Sequence, residues 1–151
     1  MDHFHHRDGR LFGDDVPLDA LADAVGTPTY VYSASTIRHH VDRLRDAFAA
    51  LDPLICYAVK ANGNLGVLKL FVERETGFDI VSGGELQRVL AAGADPSKIV
   101  FSGVGKTPDE MRDAIEAGVL MFNVESEEEL EVLADTAAAM GRVAGMAIRV
   151  N

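Results

Sequence analysis

A lysine can do covalent chemistry when its amine meets a carbonyl in neutral form, and Lys60 is placed for that. It follows the apolar run Leu54-Ile55-Cys56-Tyr57-Ala58-Val59, with the small residues Ala58 and Ala61 close by. A lysine at a strand end is ordinarily a solvated charge. Here the preceding run is continuously apolar, as in a parallel strand buried on both faces. The C-terminal mouth of such a strand is where α/β barrels build active sites. Desolvation at that place lowers an amine's pKa from about 10.4 and frees its lone pair for Schiff-base chemistry.

Other polar groups recur along the chain in step with Lys60. Asp79, Ser102, Glu125 and Arg149 follow at intervals of 19 to 24 residues, each in or just beyond a strand candidate. A closed array of strand–helix units would bring them towards one rim. Spacing alone leaves a shared site and a coincidence equally open.

Several tempting features are better read as structure. Gly83-Gly84 and Gly103-x-Gly105-Lys106-Thr107 resemble phosphate loops, but Val100 stands where the first glycine of a P-loop belongs, so both are read as helix entries. His3, His5 and His6 are read as surface residues of a flexible N-terminus. His39 and His40 are adjacent on a helix and cannot form a ligand pair on one face. No metal site is expected. Cys56, the single cysteine, reads as a buried structural thiol, which fits a reducing cytoplasm.

These groups need elements to position them. Strands are predicted at Leu54–Val59, Phe78–Val81, Ile99–Phe101, Leu120–Val124 and Gly145–Val150. Helical spacing is found at Leu65–Glu75, Gly84–Ala92, Pro108–Ala117 and Glu127–Met140. Thr107-Pro108-Asp109-Glu110 combines an N-cap, a first-turn proline and two acids, and Ser126-Glu127-Glu128-Glu129 reads as a capping box. Gly93, Gly118 and Gly141 stand where helix C-caps want glycine. Alternating strands and helices imply parallel βα units, either in an open doubly wound sheet or in part of an eight-stranded barrel. No Gly-x-Gly-x-x-Gly follows the first strand, which weighs against a dinucleotide-binding sheet. Before this region, Leu18–Val25 reads as a short helix, Thr29-Tyr30-Val31-Tyr32 as a strand, and Ser35 to Leu51 as a longer helix.

Composition narrows the function classes. A formal net charge of −10 argues against nucleic acid or an anionic membrane surface as partner. No apolar run approaches the roughly 18 residues of a membrane helix, and Met1 to Pro17 lacks the apolar stretch of a signal peptide. The 151 residues are 48% hydrophobic, enough for a real core. Val150-Asn151 comes directly after an apolar strand with no covering helix, and a complete barrel takes about 250 residues. The sequence is therefore expected to be the first part of a longer protein, inactive by itself.

Tyr57-Ala58-Val59-Lys60-Ala61-Asn62-x-Asn64 resembles the lysine signature of the fold-type III pyridoxal-phosphate enzymes, the group of ornithine and diaminopimelate decarboxylases. Further motifs match in order: Gly77 through Leu86, Ile99 through Thr107, Phe122 through Ser126, Ile148 through Asn151, and the opening Thr27 through Tyr32. Ser82-Gly83-Gly84-Glu85 and Ser102 through Thr107 are most similar to the diaminopimelate branch.

The resemblance implies an α/β fold: a parallel (β/α)8 barrel of the alanine-racemase and ornithine-decarboxylase type, cut off after about five strands. Residues 34–151 would be its first part. Residues 1–33, with the strand Thr29–Tyr32, would contribute to a separate β domain. Pyridoxal 5'-phosphate would be carried covalently by Lys60, with Asp79, Arg149 and Ser102 in its shell. The expected reaction is decarboxylation of meso-2,6-diaminopimelate to L-lysine, by a cytoplasmic homodimer acting on a small amino acid. Another decarboxylase of the group (for ornithine, arginine or carboxynorspermidine), a racemase and a non-catalytic relative are the alternatives.

Overall fold

In the computed structural model, which describes residues 2–150, the chain divides after Asp52 into two units. The first opens with a three-stranded antiparallel sheet in the order β1 (Phe4–Arg7), β2 (Arg10–Gly13) and β3 (Val16–Pro17). Asp8 and Gly9 turn the chain between β1 and β2 with φ of 51° and 77°. Two left-handed residues in succession make the turn that suits the twist of paired strands, and Asp-Gly is the pair that adopts it at least cost. Helix α1 (Leu18–Val25) follows. Helix α2 (Ala34–Ala47) is capped by Ser33, whose hydroxyl accepts from the Thr36 amide and donates to Asp14 at 2.7 Å.

Two expectations fail in this unit. The N-terminus carrying His5 and His6 is a paired strand rather than a flexible tail. Thr29–Tyr32 forms no strand, and Tyr30 and Tyr32 are 91% and 56% exposed. The reason is common to both. A strand is made by its partner, which the Asp-Gly turn supplies to β1 and which no described residue supplies to Thr29–Tyr32.

The second unit is a five-stranded parallel sheet in the order β4 (Cys56–Ala58), β5 (Gly77–Ile80), β6 (Ile99–Phe101), β7 (Met121–Val124) and β8 (Met146–Ile148). The crossovers are α3 (Leu65–Val72), α4 (Gly83–Ala92), α5 (Pro108–Ala117) and α6 (Glu127–Ala139). Sequential order decides between the two architectures left open by the sequence. A doubly wound sheet reverses direction at a switch point, whereas here each strand adds beside the last. With right-handed crossovers that places every helix on one face, and this is a barrel arc.

Strand alternation then sorts the side chains. Phe78, Ile80, Ile99, Phe101, Phe122 and Val124 point to the helices and are almost fully buried, packed with Leu86, Val89, Met111 and Leu133. Burying each such side chain contributes roughly 1.5–3 kcal/mol. Residues of the alternate set, among them Asp79 and Asn123, face the opposite way and are available to a site. Gly77 starts β5 under a steric demand: a Cβ there would lie 2.3 Å from the Lys98 carbonyl oxygen and 2.8 Å from Cys56 Sγ.

The helix entries follow the sequence closely, with one exception. Ser82 accepts from the Glu85 amide while the Glu85 carboxylate accepts from Val81 N. Thr107 and Glu110 make the full capping box. At α6 only half a box forms: Ser126 accepts from the Glu129 amide, but the Glu129 carboxylate turns to Lys106 instead.

Candidate active site

Each strand, or the segment just after it, presents one polar group towards the cavity. Lys60 sits in the short 3-10 turn Val59–Ala61 that follows β4, and Asp79 lies on β5. Ser102 comes directly after β6, Asn123 lies on β7, and Arg149 follows β8. These five residues and Cys56 line one cavity of about 660 Å³. Of the five spaced groups, the fold brings Lys60, Asp79, Ser102 and Arg149 to this cavity.

The wall of the cavity is wired by hydrogen bonds. Asn123 Nδ2 donates to Ser102 Oγ at 2.8 Å, and Ser102 Oγ in turn donates to Asp79 Oδ1 through a short bond. The hydroxyl has one proton, so this direction leaves Asp79 as the acceptor and fixes its rotamer. Arg149 donates to Glu125 Oε1 at 3.1 Å. Glu125 is thus brought to the rim as the partner of Arg149, outside the cavity lining itself. The Cys56 thiol is pushed up by burial and then by the nearby Asp79 charge, which keeps it protonated and unreactive. It is half-buried rather than enclosed in the core, because it belongs to the cavity-facing set.

Lys60 differs from expectation in one respect. Its side chain is exposed, since five strands leave the mouth of the arc open and nothing described covers it. Its amine makes no hydrogen bond or ion pair with a described residue, and the desolvation expected from the sequence is absent in this structure.

Two residues outside the sequence-based set matter here. Asn123 is a polar residue inside an apolar strand, and its period-two relation to Met121 and Glu125 was the signal that could have found it. Glu110 ties two corners together. Its Oε1 accepts from Gly83 N at 2.8 Å, and its Oε2 accepts from Thr107 N at 3.0 Å and from Thr107 Oγ1 at 2.9 Å. The Gly83 amide, then the Thr107 amide, hold its carboxyl below the ordinary carboxylate value. A depressed folded-state pKa gives stability that is complete above the unfolded value of 4.5 and lost as pH falls through the lower folded value. Glu110→Gln is expected to cost about 1 kcal/mol at neutral pH, as a lost cap does, and to flatten the acid limb. Urea unfolding at pH 7 and at graded acid pH checks this; a parallel acid limb in wild type and variant contradicts it.

Residues 34–151 match the family model described as pyridoxal-dependent decarboxylase, pyridoxal binding domain. The chain belongs to this family. It is 56% identical to the diaminopimelate decarboxylase of Pseudomonas aeruginosa, an alignment taking in 100% of this chain and 36% of that protein. A crystal structure from Aquifex aeolicus superposes with a TM-score of 0.93 at 50% identity, covering 99% of this chain and 36% of the other. The crystal structure of diaminopimelate decarboxylase from M. jannaschii in complex with L-lysine gives a TM-score of 0.93 at 37% identity, covering 98% and 36%. The chain therefore spans about 36% of the length of these relatives.

The residues present fit the cofactor this family is named for. A pyridoxal group needs a free primary amine, and Lys60 offers one at the mouth of a cavity. Its polar ring needs a fixed donor and acceptor set, and Asp79, Ser102 and Asn123 are already held in place before anything binds.

Proposed function

We propose that the full-length protein decarboxylates meso-2,6-diaminopimelate to L-lysine with pyridoxal phosphate carried on Lys60. The observation that carries this reading is the convergence of Lys60, Asp79, Ser102 and Arg149 on one cavity, in a chain of the pyridoxal-dependent decarboxylase family. The substrate is taken from the diaminopimelate decarboxylases to which the whole chain is similar.

Pyridoxal phosphate, when bound, supplies the electron sink that loss of an α-carboxylate requires. The chain's own residues do the rest. Lys60 Nζ, at the mouth of the cavity, would hold the cofactor and would be the amine placed to carry a proton at the reacting carbon. Asp79, oriented by Ser102 and Asn123, puts a fixed negative charge on the wall. Arg149, steadied by Glu125, puts a cation at the rim. Charges that are already oriented stabilise developing charge without reorganising during the reaction.

In the complete protein, residues 1–33 would contribute to a β domain and residues 34–151 would begin the catalytic barrel. We assign it as a cytoplasmic homodimer. Among the described residues no helix is long and apolar enough to cross a membrane. The test is carbon dioxide release from meso-diaminopimelate by purified full-length protein with added pyridoxal phosphate. Release with stoichiometric L-lysine is expected; folded, cofactor-loaded protein that releases none would sink the assignment.

A further inference from the structure

Lys106 is a cation that the proposed chemistry does not use, yet it is the most deeply buried charge described in the barrel unit. Its side chain is 1% exposed, behind the cavity wall rather than in it. Nζ donates to the Gly103 carbonyl at 2.5 Å and to the Asn123 carbonyl at 2.9 Å. It also lies 2.5 Å from Glu129 Oε1, an ion pair whose carboxylate is only 10% exposed. Both carbonyls belong to residues that line the cavity. Gly103 follows Ser102 directly, and Asn123 is the residue whose amide donates to Ser102.

We infer that Lys106 is a positioning residue for the cofactor wall: it clamps the backbone after β6 to the end of β7, and so holds the Asn123–Ser102–Asp79 chain in line. Burying an ammonium is expensive unless it is paired and its protons are used, and a buried pair is seldom worth more to stability than an apolar replacement. Here the three contacts join the loop after β6, strand β7 and helix α6, and both backbone contacts fall at cavity residues. Glu129 forgoes its reciprocal cap on Ser126 to complete the set. Gly103, with φ of 87°, also packs its backbone closely on Val81: a Cβ there would lie 3.1 Å from Val81 Cβ. The corner is tight, and a shift at Gly103 moves Ser102 with it.

This rests on the functional reading above, and its test separates the two. Lys106→Met alone strands a buried Glu129 and can unfold the protein, so the informative variant is Lys106→Met/Glu129→Leu, made in the full-length protein. Two readouts apply. Amide hydrogen exchange without cofactor should show lost protection at residues 102–107 and 122–126, with β5 and α4 unchanged. Titration with pyridoxal phosphate should show a dissociation constant raised about tenfold or more, as for lost supports of a bound group, together with a shifted absorption band. A folded double variant with wild-type exchange, affinity and spectrum overturns the inference. Wild-type protein that binds no pyridoxal phosphate overturns the functional reading instead, and the exchange readout still judges Lys106.

Discussion

Replacing Lys60 by alanine in the full-length protein is expected to lower kcat by about 10³-fold or more, since both a covalent anchor and a proton carrier are lost. The fold should survive. Lys60 is exposed, makes no bond to a described residue, and sits in a turn rather than under the helices. Circular dichroism and unfolding midpoints should match wild type while steady-state turnover collapses. Turnover within tenfold of wild type would remove Lys60 from the chemistry, whatever the family signature suggests. An Arg112→Ala variant serves as control: its ion pair with Asp109 is largely exposed on α5, and the loss should leave turnover unchanged.

The barrel unit was legible because its signals are local and agree with one another. Helix α5 carries a capping threonine, a first-turn proline and a C-terminal glycine, and its predicted span is the observed one. Strand β6 was equally clear, bounded by Pro96-Ser97-Lys98 and Ser102-Gly103. The N-terminal unit was harder to read. Strand β1 is Phe-His-His-Arg, mostly exposed, and its apolar alternation is too faint to mark a strand. The Asp-Gly turn was the readable signal there, and it lay beyond a run of histidines that suggested disorder. Thr29–Tyr32 shows the converse, a β-rich run to which no described residue supplies a partner.

The sequence offered the polar groups but not their wiring. Lys60, Asp79, Ser102 and Arg149 stand in or just beyond strands, and it was the family resemblance rather than spacing that singled them out. No sequence rule says that Glu125 serves Arg149, that Asn123 serves Ser102, or that Lys106 turns inwards. Those depend on which carbonyls and carboxylates the loops bring within 3 Å or so. Lys106 in particular sits in a motif that invites a phosphate-loop reading, and the structure gives its charge to Gly103, Asn123 and Glu129.

The second large effect concerns substrate choice. Full-length protein should favour meso-diaminopimelate over ornithine or arginine by about 10⁴-fold in kcat/KM. All three present the same α-amino carboxylate, so the groups around Lys60 cannot tell them apart. Discrimination comes from the far end. Diaminopimelate ends in a second zwitterion that needs both cationic and anionic partners, and ornithine ends in a lone ammonium. A site built for the zwitterion leaves its cations unpaired when ornithine binds, and an unpaired buried charge is costly. Competition between the substrates on one enzyme sample reads this ratio directly. A larger specificity constant for ornithine or arginine would reassign the substrate and leave the cofactor chemistry standing.

The central claim is that Lys60 carries the cofactor, and one measurement addresses it without reference to turnover. Full-length protein loaded with pyridoxal phosphate is reduced with borohydride, digested and mapped by mass spectrometry. The account predicts the phosphopyridoxyl mass on the peptide containing Lys60. Recovery of that mass on Lys69, Lys98 or Lys106, with the Lys60 peptide unmodified, would contradict it.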